Sequence, residues 1–160
     1  MLTWWTKRKT MIEIQRLAHE QNHERALQTI EGYLEKNPND TNVLIEKTWI
    51  FLETKQWSKA LDLANALQQT DAQHPVFMLL IGEALYGLKE YEQAISWLKK
   101  CVDASGGNLK AEYLLGLCYT AGGNFDMATA YFENLVRYDP AILNSRLLVA
   151  AESMLQEKQK

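Results

Sequence analysis

The chain has 160 residues, 47% hydrophobic and 23% charged, which is room for one ordinary domain or one short array of repeats and excludes disorder as a global description. Its formal net charge of −3 gives no bulk attraction for nucleic acid, and two cysteines, Cys101 and Cys118, are too few for a disulfide framework. Three prolines and eight glycines punctuate the chain sparsely, which favours long helices over a many-turned β fold.

The first six residues, Met1-Leu2-Thr3-Trp4-Trp5-Thr6, are too short for a signal sequence, and the cations Lys7, Arg8 and Lys9 come after the apolar stretch rather than before it. Leu2, Trp4 and Trp5 read as an apolar extension over residues 1–6 that covers the N-terminal end of the domain. The competing reading is an interfacial membrane anchor built from the same rings and cations. The longest apolar run, Val76 to Ile81, is six residues and cannot span a bilayer. With no lipidation motif in the chain, the expected location is the cytoplasm.

From residue 7 the sequence repeats. Ala26, Ala60, Ala94 and Ala128 stand 34 residues apart, and three positions before each lies a ring: His23, Trp57, Tyr91 or Phe125. Nine before each lies Leu17, Phe51, Leu85 or Tyr119, and four after each lies Ile30, Ala64, Leu98 or Phe132. The register sets four repeats, 7–40, 41–74, 75–108 and 109–142. Each divides into two amphipathic stretches at helical period, such as Ala111/Leu114/Leu115/Cys118/Tyr119 and Phe125/Ala128/Phe132/Leu135. Turns are expected at Leu88-Lys89-Glu90 and Gly122-Gly123-Asn124, and stops at Asn37-Pro38 and Asp139-Pro140, because the residue before proline avoids the helical region. Val76–Ile81 has the composition of a buried strand, but its phase in the repeat predicts a helix. The small alanines mark where paired helices cross closely. Residues 143–160 are expected to form a capping helix and polar tail, since Leu143, Leu147, Ala151 and Leu155 share one stripe.

Leu115-Gly116-x-x-Tyr119, then Ala128-x-x-x-Phe132, then Pro140 in the last repeat carry a resemblance to the tetratricopeptide repeat family over residues 7–142. Glu112 stands where the family's first tryptophan is usual. The first two repeats are looser, with Ile14 and Thr48 at the eighth position, where a small residue is usual. The resemblance implies an all-α, right-handed solenoid of helix–turn–helix units. It also implies that positions 2, 5, 9, 12 and 13 of each repeat face a concave groove. From these positions the expected peptide-binding residues are Met11, Gln15, Ile45, Trp49, Leu52, Leu79, Glu83, Tyr86, Lys110, Tyr113 and Leu117. That wall is expected to be unusually apolar for a surface facing water, and contiguous exposed apolar area marks interaction sites. The basic and amide clamp with which some members hold a chaperone tail is missing: Met11, Gln15, Glu46, Val76 and Leu80 occupy its positions.

The reading is therefore a non-enzymatic adaptor or scaffold that binds an apolar or amphipathic segment of another protein, with no nucleic-acid partner and no cofactor. The size, acidity and apolar groove also resemble the small tetratricopeptide chaperones of type III secretion. Self-assembly into a homo-oligomer is the second alternative. No phosphate-loop, dinucleotide, nucleophile-elbow or zinc-protease motif is present. His19 and His23 are read as packing and surface residues rather than metal ligands, and both cysteines as buried, inert thiols.

Overall fold

The computed structural model describes residues 4–138. Within them run eight helices: α1 (Trp4–His19), α2 (His23–Leu34), α3 (Thr41–Glu53), α4 (Trp57–Gln68), α5 (Pro75–Gly87), α6 (Tyr91–Ser105), α7 (Leu109–Ala121) and α8 (Phe125–Tyr138). No strand occurs among the described residues. The chain is an all-α, right-handed solenoid of helix–turn–helix repeats. The ring of each repeat opens its second helix, so α2, α4, α6 and α8 begin 34 residues apart. Val76–Ile81 lies inside α5, as its phase predicts. The capping helix expected over 143–157 and the stop at Asp139-Pro140 lie outside the described residues.

The turns inside the four pairs share one backbone solution. Gln21, Lys55, Lys89 and Gly123 all take positive φ, at 56°, 58°, 65° and 75°. The N–H of the next residue then reaches back five residues: Asn22 to Leu17, Gln56 to Phe51, Glu90 to Leu85 and Asn124 to Tyr119, at 2.8–2.9 Å. This is a Schellman motif, which satisfies carbonyls that the helix end would leave open. It explains why a large apolar residue recurs nine positions before each alanine. That residue supplies both the accepting carbonyl and a side chain turned to the core. Only the last turn uses glycine for the left-handed residue; glutamine and lysine take that conformation in the others.

Ala26, Ala60, Ala94 and Ala128 are all fully buried, as close helix crossings require. Two glycines tighten the later pairs further. A Cβ on Gly82 would lie 2.6 Å from Leu98 Cγ, and one on Gly116 would lie 2.5 Å from the Phe132 ring. The α5–α6 and α7–α8 backbones accordingly pack more closely than α1–α2 and α3–α4, which carry Ile14 and Thr48 at the equivalent position.

The core divides unevenly. One large cluster runs from Leu52 to Cys118 and holds α4 to α7 together. A second joins α1, α2 and one side of α3 through Ile14, Leu17, Ile30, Val43 and Ile50. A small third cluster seats α8 through Ala128, Phe132 and Leu135. Polar contacts reinforce the first repeat, at the chain's entry into α3 and across to the second repeat. Lys7 Nζ is 2.8 Å from Asp40 Oδ2, and the Tyr33 hydroxyl donates to the same oxygen at 2.9 Å. Lys47 Nζ is 2.7 Å from Glu31 Oε1, and Gln15 donates to Glu46 Oε1 at 2.7 Å. Burial opposes ionisation of Asp40, but the Lys7 ammonium and the Tyr33 hydroxyl outweigh it and hold the carboxyl below its ordinary value. A depressed carboxyl stabilises the fold above its unfolded pKa, and that contribution fades as pH falls through the folded value. Asp40→Asn should therefore lower the melting temperature at neutral pH. The gap to wild type should close as pH drops below the ordinary aspartate range, and a pH-independent gap would assign the loss to shape rather than charge.

Trp4 and Trp5 do not act as a lid, and Leu2 lies outside the described residues. Trp4 and Trp5 belong to α1 and are 63% and 71% exposed, so neither ring covers the core of the first repeat. They meet each other edge to face at 5.1 Å and stand outside all three clusters, because α1 turns its Ile14 and Leu17 face inward.

Candidate functional site

The first helices of successive repeats, α1, α3, α5 and α7, carry the residues expected to form a concave wall. The 34-residue period aligns them in register, so residues at one repeat position recur along one side of the array. On α3, Ile45 and Trp49 are half-buried, lying against the large cluster with part of each side chain open. On α5, Tyr86 is likewise half-buried, and its ring lies 5.9 Å from that of Tyr91. Burial raises the Tyr86 hydroxyl pKa, and the neighbouring Tyr91, Cys118 and Tyr113 push the same way, so it is a neutral donor and acceptor at physiological pH. Leu117 on α7 touches both the large and the small cluster.

Trp49, Glu83 and Lys110 meet although they come from three different repeats. Lys110 Nζ sits 4.0 Å from the centroid of a Trp49 ring and 2.8 Å from Glu83 Oε2. The ammonium thus rests on an indole face while a carboxylate with 19% side-chain exposure neutralises it. Such a cation–π contact is worth about 0.5–2 kcal/mol, with the upper end reached when it is shielded from water. It ties α7 to α3 across α5. Met11 is half-buried beside the first-repeat cluster, and Gln15 is exposed and engaged with Glu46.

Two expected wall residues are corrected. Leu52 and Leu79 are only 3% and 5% exposed and belong to the large cluster. Adjacent first helices lie close enough to cover positions 12 and 5 at the centre of the array. Tyr113 is half-buried but leans on Phe132 of α8, ring centroids 6.2 Å apart, and packs with the small cluster. The wall is consequently less greasy than the sequence suggests: its open apolar surface comes mainly from Ile45, Trp49, Tyr86 and Leu117. Glu46 and Tyr91 were not among the expected site residues. Glu46 has a sequence signal in its place one turn from Trp49, while Tyr91 reaches Tyr86 only through the fold.

His19 closes α1 and His23 opens α2, so the turn between them separates the pair. His23 Nδ1 lies 3.6 Å from Glu53 Oε2. Among the described residues, no three His, Cys, Asp or Glu side chains are grouped to hold a metal ion. Cys101 and Cys118 are free and fully buried. Burial pushes both thiols up, Cys118 to about 12, so neither offers a thiolate near neutral pH. No described helix is long and apolar enough to cross a membrane.

Residues 53–135, 83 of the 160, match the family model described as anaphase-promoting complex, cyclosome, subunit 3. The BBSome complex member BBS4 of Bos taurus is 28% identical over 135 residues, which is 84% of this chain and 25% of that protein. The chain spans a quarter or less of the length of the curated relatives it matches. Among solved structures, the thermophilic TPR protein TTC0263 of Thermus thermophilus superposes with a TM-score of 0.75 at 19% identity, covering 94% of this chain and 88% of that one. MamA residues 41 to the end, from Desulfovibrio magneticus RS-1, superposes with a TM-score of 0.69 at 22% identity, covering 78% and 71%. These two structures establish likeness of fold.

Proposed function

Because the chain belongs to the anaphase-promoting complex, cyclosome, subunit 3 family and is a tetratricopeptide repeat protein, we propose that it is a non-enzymatic interaction scaffold whose first-helix wall takes an apolar or amphipathic segment of another protein. The observation that carries this reading is Trp49. It is a tryptophan left half-open at the middle of the array, beside Ile45 and within the reach of Lys110 and Glu83. Tryptophan anchors are over-represented among residues that dominate binding energy, and a pre-placed charge pair beside one can set the register of a bound segment. Tyr86 and Leu117 extend the apolar strip along α5 and α7, with Met11 and Gln15 at its first-repeat end.

The test is selection of binders from a displayed random peptide library, followed by affinity measurement on purified variants. Trp49→Ala should weaken the selected peptides about thirtyfold or more, the usual scale for a hot-spot truncation. Trp49→Phe should restore part of the loss. Helicity and melting temperature are measured beside affinity, because the indole also lies on the core. Peptides that bind Trp49→Ala as well as wild type would remove this wall as the site.

A further inference from the structure

The exposed stripe at the start of α1 carries a different chemistry from the rest of the wall, although Arg8 holds the same repeat position as Lys110. Trp5, Arg8, Lys9 and Ile12 succeed one another at helical spacing and border a single hollow. Trp5 and Ile12 are 71% and 57% exposed, beside Trp4 at 63%. Arg8 lies over the Trp4 ring, its guanidinium carbon 5.4 Å from the centroid. Lys7, by contrast, is paired with Asp40, so the exposed stripe displays Arg8 and Lys9.

The placement runs against local helix preference. No acidic residue stands in the first turn of α1, and three successive cations come directly after it, although the N-terminal end of a helix favours negative charge. Large exposed rings are also costly for solubility. One surface gives a use for both. Indole rings settle at the headgroup level of a bilayer, where the ring is apolar and its N–H is wet, and adjacent cations are attracted to anionic lipid.

We propose that the N-terminal half of α1 is a peripheral docking surface for anionic phospholipid membranes. Charge distribution favours this occupant. Residues 4–12 carry +3 with no acidic side chain against −6 on the remainder of the chain, and with Lys7 paired to Asp40 the stripe still displays the two cations Arg8 and Lys9. Near a negative surface the body is repelled while this end is attracted, which turns Trp4, Trp5 and Ile12 toward the lipid. The helix lies on the surface and does not enter as a span. The solenoid would then present its wall from the membrane.

The full chain is tested by sedimentation with vesicles of phosphatidylcholine alone, and with vesicles of two parts phosphatidylcholine to one part phosphatidylserine. Binding is expected only with phosphatidylserine, weakening as salt rises. Each cation removed, Arg8→Gln or Lys9→Gln, should cost about fivefold in partitioning. Trp4→Ala with Trp5→Ala should abolish retention and the accompanying blue shift of fluorescence. Their exposure means that the melting temperature stays close to wild type, and Trp49→Ala should leave vesicle binding intact. Failure to bind phosphatidylserine vesicles would overturn the proposal, as would equal binding to neutral ones. A concentration-dependent dimer that the paired tryptophan variant abolishes, without vesicle binding, would reassign the surface to a second copy of the chain.

Discussion

Phe77→Ala is expected to destabilise the protein by about 3–5 kcal/mol, the usual cost of removing a buried aromatic ring together with the cavity it leaves. Phe77 is 1% exposed, lies in the large cluster, and is stacked by His74 at 4.3 Å with an interplanar angle of 17°. Its helix is the hub of the array, since α5 packs on α3, α4, α6 and α7. In a solenoid, stability is close to a sum of repeat and neighbour-interface contributions, so damage to the hub weakens several at once. A domain of ordinary stability has about 5–15 kcal/mol in all, so the variant loses a large fraction of it and its urea midpoint should fall well below that of wild type. Urea denaturation monitored by circular dichroism reads the loss. A change below about 1 kcal/mol would mean that α5 is not the central element described here.

Gly82→Thr should cost more than helix propensity alone predicts, and in a way that a second substitution repairs. Replacing a mid-helix glycine normally gains a fraction of 1 kcal/mol. Here any Cβ would lie 2.6 Å from both Leu98 Cγ and Cδ2, and Leu98 is fully buried, so the neighbour cannot swing away into solvent. Overpacking of this kind costs about 1–3 kcal/mol, which outweighs the propensity gain. The second repeat shows the remedy in its own sequence. There the equivalent positions are Thr48 and Ala64, both fully buried, with the larger side chain on the first helix and the smaller on the second. Gly82→Thr combined with Leu98→Ala should be more stable than the sum of the two single losses by about 0.5–3 kcal/mol, the range seen for residues in contact. Additive losses in that double-mutant cycle would show that the two side chains do not compete for one space.

Most of the architecture was legible because one period governs several physical requirements together. The alanine marks the close crossing, the ring opens the second helix, and the large apolar residue closes the first through a repeated turn. Lys55 and Lys89 show where local reading ends. Nothing in a lysine announces a left-handed residue; only alignment with Gly123 does. The candidate wall was less legible. Register gives the direction in which Leu52 and Leu79 point, but not how far the neighbouring first helix overlaps them, and that overlap buries both. Long polar side chains are harder still. Lys110 could have extended into water, and its position over Trp49 and beside Glu83 depends on the curvature of three stacked repeats. Trp4 and Trp5 depart from expectation for a related reason: an apolar end suits a lid only when the helix turns that face inward, and α1 turns Ile14 and Leu17 inward instead.

The most direct test of the account is amide hydrogen exchange on the full chain, with and without a peptide selected by display. Added protection should concentrate on α3, α5 and α7, around Trp49, Tyr86 and Lys110, while α2, α4, α6 and α8 change little. Protection confined to the second helices, with the Trp49 segment unaltered, would contradict a partner seated on the inner wall.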